Sequence, residues 1–218
     1  MQKTLFSPLQ SSWVDLNPQA SKAALLVIDM QSPYFRDSSL GKQEERLTGA
    51  CNQLIELFEN HSLPVFYTRT VHSSAKETWT LNMRNDAQGF AFSGSDETTF
   101  LPGLHVSRTK ARIINKTRDS AFVATDFEMQ LATERVSTLV VCGVSTHSCV
   151  GLTAADAYAR NFQVILATDA IASHKPQYHT VILDMLEEEY HQLRWNNQQI
   201  EAFLESREAK NTNVKEEI

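Results

Sequence analysis

Three residues, Asp29, Lys116 and Cys149, are of types that could do chemistry together. Cys149 follows an apolar run, TLVVCG, and a tight segment, Val144-Ser145-Thr146-His147-Ser148, and it opens the helix-like run CVGLTAADAYARN. A thiol at a helix start lies beside unsatisfied N–H groups and about half a positive charge, which favours the thiolate and lowers the thiol pKa. The same N–H groups can hold an oxyanion once the sulfur has attacked a carbonyl. Such a nucleophile needs a proton acceptor, and a carboxylate oriented by a lysine is one. Asp29 closes the apolar run AALLVID, and Lys116 closes RIINK. Each residue also has an ordinary alternative. An Asp after a buried strand can cap a helix or bind a metal, and a Lys at a strand end is usually solvated. A free cysteine is most often a small buried hydrophobe, which is the role expected for Cys51 and Cys142.

The elements that must position these groups follow from periodicity. Residues 23–29 form a short continuous apolar run, as in a central parallel strand buried on both faces. Leu47, Ala50, Cys51, Leu54, Ile55, Leu57 and Phe58 recur at helical spacing, predicting a helix over 46–60. Further strands are expected at 65–68, 112–116, 138–143 and 162–169, with an edge strand at 191–195. Helices are expected at 126–134, 149–160, 176–190 and 198–208. Residues 71–111 are polar with scattered aromatics (Trp79, Phe90, Phe92, Phe100), so they read as an ordered insertion that covers a substrate. Residues 1–22, broken by Pro8 and Pro18, read as an arm packed through Trp13 and Leu16, and 209–218 as a polar, frayed tail.

Strands alternating with helices predict an α/β fold: a doubly wound, mainly parallel sheet of about six strands with helices on both faces, a Rossmann-like three-layer sandwich. One domain spans 23–208. Chemistry in such sheets sits at the carboxyl ends of the strands, which would bring Asp29, Lys116 and Cys149 to one crevice if their strands are neighbours.

Composition narrows the partners. A net charge of −6 argues against nucleic acid. No apolar run approaches the ~18–20 residues of a membrane span, and the first residues lack the apolar centre of a signal peptide. Three cysteines, an odd and sparse set, do not form a disulfide framework, so a cytoplasmic setting is expected. The turn after the first strand, DMQSPYF, has no glycine, which argues against a phosphate-binding loop.

Three motifs, in order, resemble the isochorismatase-like cysteine hydrolases: Asp29-Met30-Gln31, then Lys116-Thr117-Arg118-Asp119-Ser120-Ala121-Phe122, then Gly143-Val144-Ser145-Thr146-His147-Ser148-Cys149-Val150. The resemblance covers residues 23 to about 205. It implies an Asp29–Lys116–Cys149 triad that hydrolyses a C–N bond through a thioester acyl-enzyme. It also implies a cis peptide bond at Val144–Ser145 that turns the Ser145 N–H toward the Cys149 N–H as an oxyanion hole, and a homo-oligomer, dimer or tetramer.

The zinc-dependent nicotinamidase branch carries Asp-x-His after the second strand, where this chain has Thr70-Val71-His72, so no metal and no cofactor are expected. The substrate is expected to be a small amide, ureido or carbamoyl compound. Ether hydrolysis by the aspartate alone, and a silent or purely binding fold member, are the alternatives. Gln31, Phe35, Trp79 and Phe122 are candidate pocket residues, with ordinary packing or structural roles equally open. For His147, substrate contact and subunit contact are both open.

Overall fold

A computed structural model describes residues 22–36, 38–107 and 111–216, with side chains described to residue 207. The expected N-terminal arm therefore lies outside the described residues, save Lys22. Six strands form one parallel sheet: β1 (Lys22–Ile28), β2 (Val65–Thr70), β3 (Arg112–Lys116), β4 (Val136–Val144), β5 (Gln163–Ala172) and β6 (Leu193–Trp195). Their spatial order is β3-β2-β1-β4-β5-β6, and every pairing is parallel. The helices are α1 (Ser32–Phe35), α2 (Glu44–Asn60), α3 (Leu81–Asn85), α4 (Phe127–Thr133), α5 (Gly151–Ala159), α6 (Pro176–Tyr190) and α7 (Asn197–Glu216).

The sheet is apolar on both faces because helices cover both. Ala23, Leu25 and Val27 of β1 pack with Leu47, Cys51, Leu54, Ile55 and Phe58 of α2 and with Ile200 and Leu204 of α7. Ala24, Leu26 and Ile28, alternating with them, pack with α4, α5 and α6 through Phe127, Ala154, Ala157, Leu183 and Leu186. The period-2 alternation of one strand thus supplies two cores. Cys51 and Cys142 are fully buried in the first of these, as small hydrophobes.

Sheet order reverses between β1 and β4, and the crevice at such a reversal opens at the carboxyl ends of the strands. One expectation is corrected here. β4 is the neighbour of β1, but β3 is not, because β2 lies between them. A second correction concerns β5, which continues past Asp169 to Ala172. The β4–β5 ladder shifts register between Val141 and Gly143 and resumes at Gly143–Ile171, so Thr168 and Asp169 fall in a local irregularity. Asp169 instead accepts a hydrogen bond from the Asn197 N–H at the start of α7 (3.0 Å). α7 itself runs on to Glu216 through most of the segment read as a frayed tail, with neither Gly nor Pro from Asn197 onward to end it.

The described part of the 71–111 insertion packs against the sheet end. Leu101 N–H donates to Met30 O (2.8 Å), and Leu101 and Leu104 join the α2 core. Within it, Trp79 stacks on Phe92 at 5.9 Å between ring centroids and donates from Nε1 to Ser73 O.

Candidate active site

Asp29 is the first residue beyond β1, with φ of 49°. This left-handed conformation is uncommon for a side-chain-bearing residue, although Asp tolerates it better than most. It ends the strand and starts the turn into α1. The Asp29 backbone and one carboxylate oxygen are both held by Thr68 of β2: Asp29 N–H donates to Thr68 O (3.2 Å), and the Thr68 hydroxyl donates to Oδ1 (2.9 Å).

The other oxygen, Oδ2, has no aligned hydrogen-bond donor and lies 2.7 Å from Lys116 Nζ, an ion pair with both side chains essentially excluded from solvent. Lys116 reaches it across the end of β2. On the way its ammonium donates to Thr70 Oγ1 (3.3 Å), to Arg118 O (3.1 Å) and to Cys149 Sγ (3.4 Å). Thr70, which stands where the metal-binding branch has an acid, is thus a hydroxyl acceptor for the lysine. Burial pulls Lys116 toward neutrality, but the Asp29 carboxylate outweighs it and holds the ammonium above its usual range.

Cys149 lies in a π-helical turn, Thr146–Val150, that leads straight into α5. The Val144–Ser145 peptide bond before the turn is cis. Gly143 has φ of 107°, and a Cβ there would lie 2.1 Å from Ile28 O, so only glycine lets the end of β4 approach the end of β1 this closely. The sulfur is buried, and this reverses one expectation. Burial pushes the Cys149 thiol up; Lys116 pulls it down, while Asp29, by charge and by hydrogen bond, and Asp119 push it further up. The helix start does not suffice to make a resting thiolate. Burial and the two carboxylates favour the protonated thiol, which has acceptors beside it.

The candidate pocket residues fall in several places. Gln31 is fully buried and clamps backbone: it accepts from Thr70 N–H (2.7 Å) and donates to Thr70 O (3.1 Å) and Glu97 O (3.0 Å). Phe35 packs in the α2 core, and Phe122 packs against Phe127 and Phe162 on the other face. Trp79 lies within the insertion, as described. Tyr34, beside Phe35, is the aromatic turned to the site. Its hydroxyl meets Thr70 Oγ1 at 2.7 Å, its ring meets Phe90 edge-on at 5.7 Å, and burial with the nearby Asp29, Cys149 and Asp119 raises its pKa well above the usual range.

Asp119 is a position of its motif to which sequence reasoning assigns no role. Its Oδ1 lies 3.7 Å from Cys149 Sγ, and the side chain is exposed. No sequence signal separates Tyr34 from Phe35 before the pitch of α1 is known; Asp119, a carboxylate three residues after Lys116, was legible. The Ser120-Ala121-Phe122 part of the motif fastens this loop, Ala121 N–H donating to Thr153 Oγ1 of α5 (3.0 Å).

On the rim, His147 Nδ1 is 2.7 Å from Ser173 Oγ and its ring lies 4.6 Å from that of His174, whose Nδ1 is 3.0 Å from Ser145 Oγ. His72 is a structural residue, its ring between Thr78 (3.3 Å) and Phe90. With Thr70 and His72 committed in this way, the zinc site of the nicotinamidase branch does not fit these residues. Among the described residues no group of three or more His, Cys, Asp or Glu is arranged to hold a metal ion.

A sequence model of the isochorismatase domain matches residues 23–196. Nicotinamidase 3 of Arabidopsis thaliana is 29% identical over 168 residues, covering 77% of this chain and 81% of the relative. The fold is shared with a cysteine hydrolase from Pseudomonas syringae pv. phaseolicola, at a TM-score of 0.76 and 20% identity over 88% of this chain and 96% of the other. It is shared too with N-carbamoylsarcosine amidase from Thermoplasma acidophilum, at a TM-score of 0.70 and 24% identity over 81% and 96% of the two chains.

Proposed function

The chain is a hydrolase of the isochorismatase family, and from that premise we propose that it cleaves a C–N bond of a small amide, ureido or carbamoyl compound through a thioester on Cys149. The observation that carries this reading is the buried Asp29–Lys116 pair with the Lys116 ammonium 2.7 Å from Asp29 and 3.4 Å from the sulfur. Asp29 takes the S–H proton as Sγ attacks the carbonyl carbon. The S–C bond forms and the carbonyl electron pair moves to oxygen, to which the Ser145 and Cys149 N–H groups donate. Lys116 keeps the site neutral while charge passes among the three groups.

Collapse of the intermediate breaks the C–N bond, and the departing nitrogen takes the proton held by Asp29. Water then attacks the thioester, giving its proton to Asp29, and the acid leaves as Sγ is reprotonated. Because burial favours the protonated thiol, proton removal and attack are coupled.

Incubating wild type and Cys149→Ala with a panel of small amides and ureides, with ammonia release and intact-protein mass as readouts, tests this. The expected result is an acyl adduct on Cys149 and a loss of turnover of roughly four orders of magnitude or more in the variant. Undiminished turnover in Cys149→Ala would sink the cysteine mechanism and leave the aspartate acting alone.

A further inference from the structure

The thiol lies between two carboxylates that differ in setting. Asp29 is fully buried and engaged by Lys116 and Thr68. Asp119 is exposed, on the solvent side of the sulfur, and among the described residues the Cys149 thiol is the one group that donates to it. Its loop is fixed at both ends, by the Lys116 ammonium on Arg118 O and by Ala121 N–H on Thr153 Oγ1. Arg118, next to it, is turned away and donates to Thr78 O of the insertion (2.8 Å). A carboxylate is therefore held, without a cation on it, against the nucleophile on the side from which a substrate must come.

A carbonyl under attack has three substituents to place. In the proposed mechanism the leaving nitrogen faces Asp29 and the oxygen faces the backbone N–H groups. The third substituent, the one that stays on the acyl group, is left to the Asp119 side. A carboxamide puts a carbon there, which gives Asp119 nothing in exchange for the water it loses. A ureide puts a second N–H there, a donor matched to an anionic acceptor. We infer that Asp119 is a specificity-determining residue that selects ureido substrates by accepting a hydrogen bond from the nitrogen retained on the acyl group.

This rests on the thioester reading above and extends it. With R–NH–CO–NH2, the S–C bond forms, ammonia departs with the proton held by Asp29, and Cys149 carries R–NH–CO–. Water then cleaves the C–S bond to give the carbamic acid R–NH–COOH and the free thiol. The retained N–H stays on Asp119 through both halves of the reaction, so its contribution enters acylation and deacylation alike.

The test compares isosteric pairs that differ by NH against CH2: butylurea with hexanamide, and phenylurea with phenylacetamide. The quantity read is the ratio of kcat/KM for ureide over carboxamide. In wild type it favours the ureide. In Asp119→Ala it falls roughly ten- to hundredfold, the worth of a hydrogen bond to a charged acceptor, and in Asp119→Asn, which keeps a neutral acceptor, it falls less. Melting temperatures of the variants at the wild-type value show that folding is not the cause. If carboxamides acylate Cys149 while the ratio is the same in wild type and Asp119→Ala, the thioester reading stands and the Asp119 inference is overturned. If wild type turns over no member of either pair and forms no adduct, both fall.

Discussion

Lys116 and Asp29 are charged groups 1% and 0% exposed, and each makes the other's burial tolerable. Removing one partner of such a pair leaves an uncompensated buried charge, whereas removing both leaves a polar void of lower cost. Lys116→Met should therefore cost about 3–5 kcal/mol of stability, and the double variant Asp29→Asn/Lys116→Met should be more stable than Lys116→Met alone. Urea unfolding of the set measures both, and a double variant as unstable as the sum of the two single changes would refute the pairing. All of them should be inactive, since the proton acceptor or its counter-ion is gone. The preference for a protonated thiol belongs to the same account. With Asp29 and Asp119 both beside the sulfur, a lysine at 3.4 Å does not make a resting thiolate.

The insertion and the ends of β1 and β2 act as one unit because of Gln31. Its side-chain amide bonds to the N–H and C=O of Thr70 and to Glu97 O, and its backbone forms a bridge with Phe100. A buried amide is required, since an apolar side chain would leave three backbone groups without partners. Gln31→Leu should cost about 1–3 kcal/mol, concentrated in faster amide hydrogen exchange over 92–101, while exchange in the sheet centre is unchanged. Uniform loss of protection throughout the protein would contradict this local role. Among the elements, the π-helical turn and Gly143 carry the nucleophile. The first places Cys149 two residues before α5, and the second lets β4 end against β1.

On the scale of the whole molecule, the shifted groups share a direction at high pH. Lys116, Cys149 and Tyr34 all hold their protons more tightly folded than unfolded. Their stabilisation is complete below the ordinary values and declines as pH rises, beginning at the thiol's ordinary 9.0. His147, His174 and His179 are shifted the other way, first by burial, so their contribution is present above their ordinary 6.5 and is lost as pH falls below it. The melting temperature should therefore form a plateau between about pH 6.5 and 9, with a shallower alkaline fall in Cys149→Ala, where the buried Cys142 thiol, also shifted up, still titrates from the same ordinary value. An alkaline limb identical in the two proteins would show that the thiol does not titrate as its burial dictates. No helix among the described residues is long and apolar enough to cross a membrane.

The apolar runs of β1 and β4, the periodicity of α2 and α6, and three motifs in order determined the fold class and pointed to Asp29, Lys116 and Cys149, because buried strands and helix faces have one-dimensional patterns. Only the tertiary structure decided what depends on distance. It put β2 between β1 and β3, so that Lys116 crosses the end of a strand by way of Thr70. It turned Tyr34 rather than Phe35 to the site, made Gln31 a clamp, and brought Asp119 to the solvent side of the sulfur. It also reversed the expected thiol shift. A helix start is visible in sequence, but desolvation and the fields of two carboxylates depend on what the folded chain packs around the sulfur.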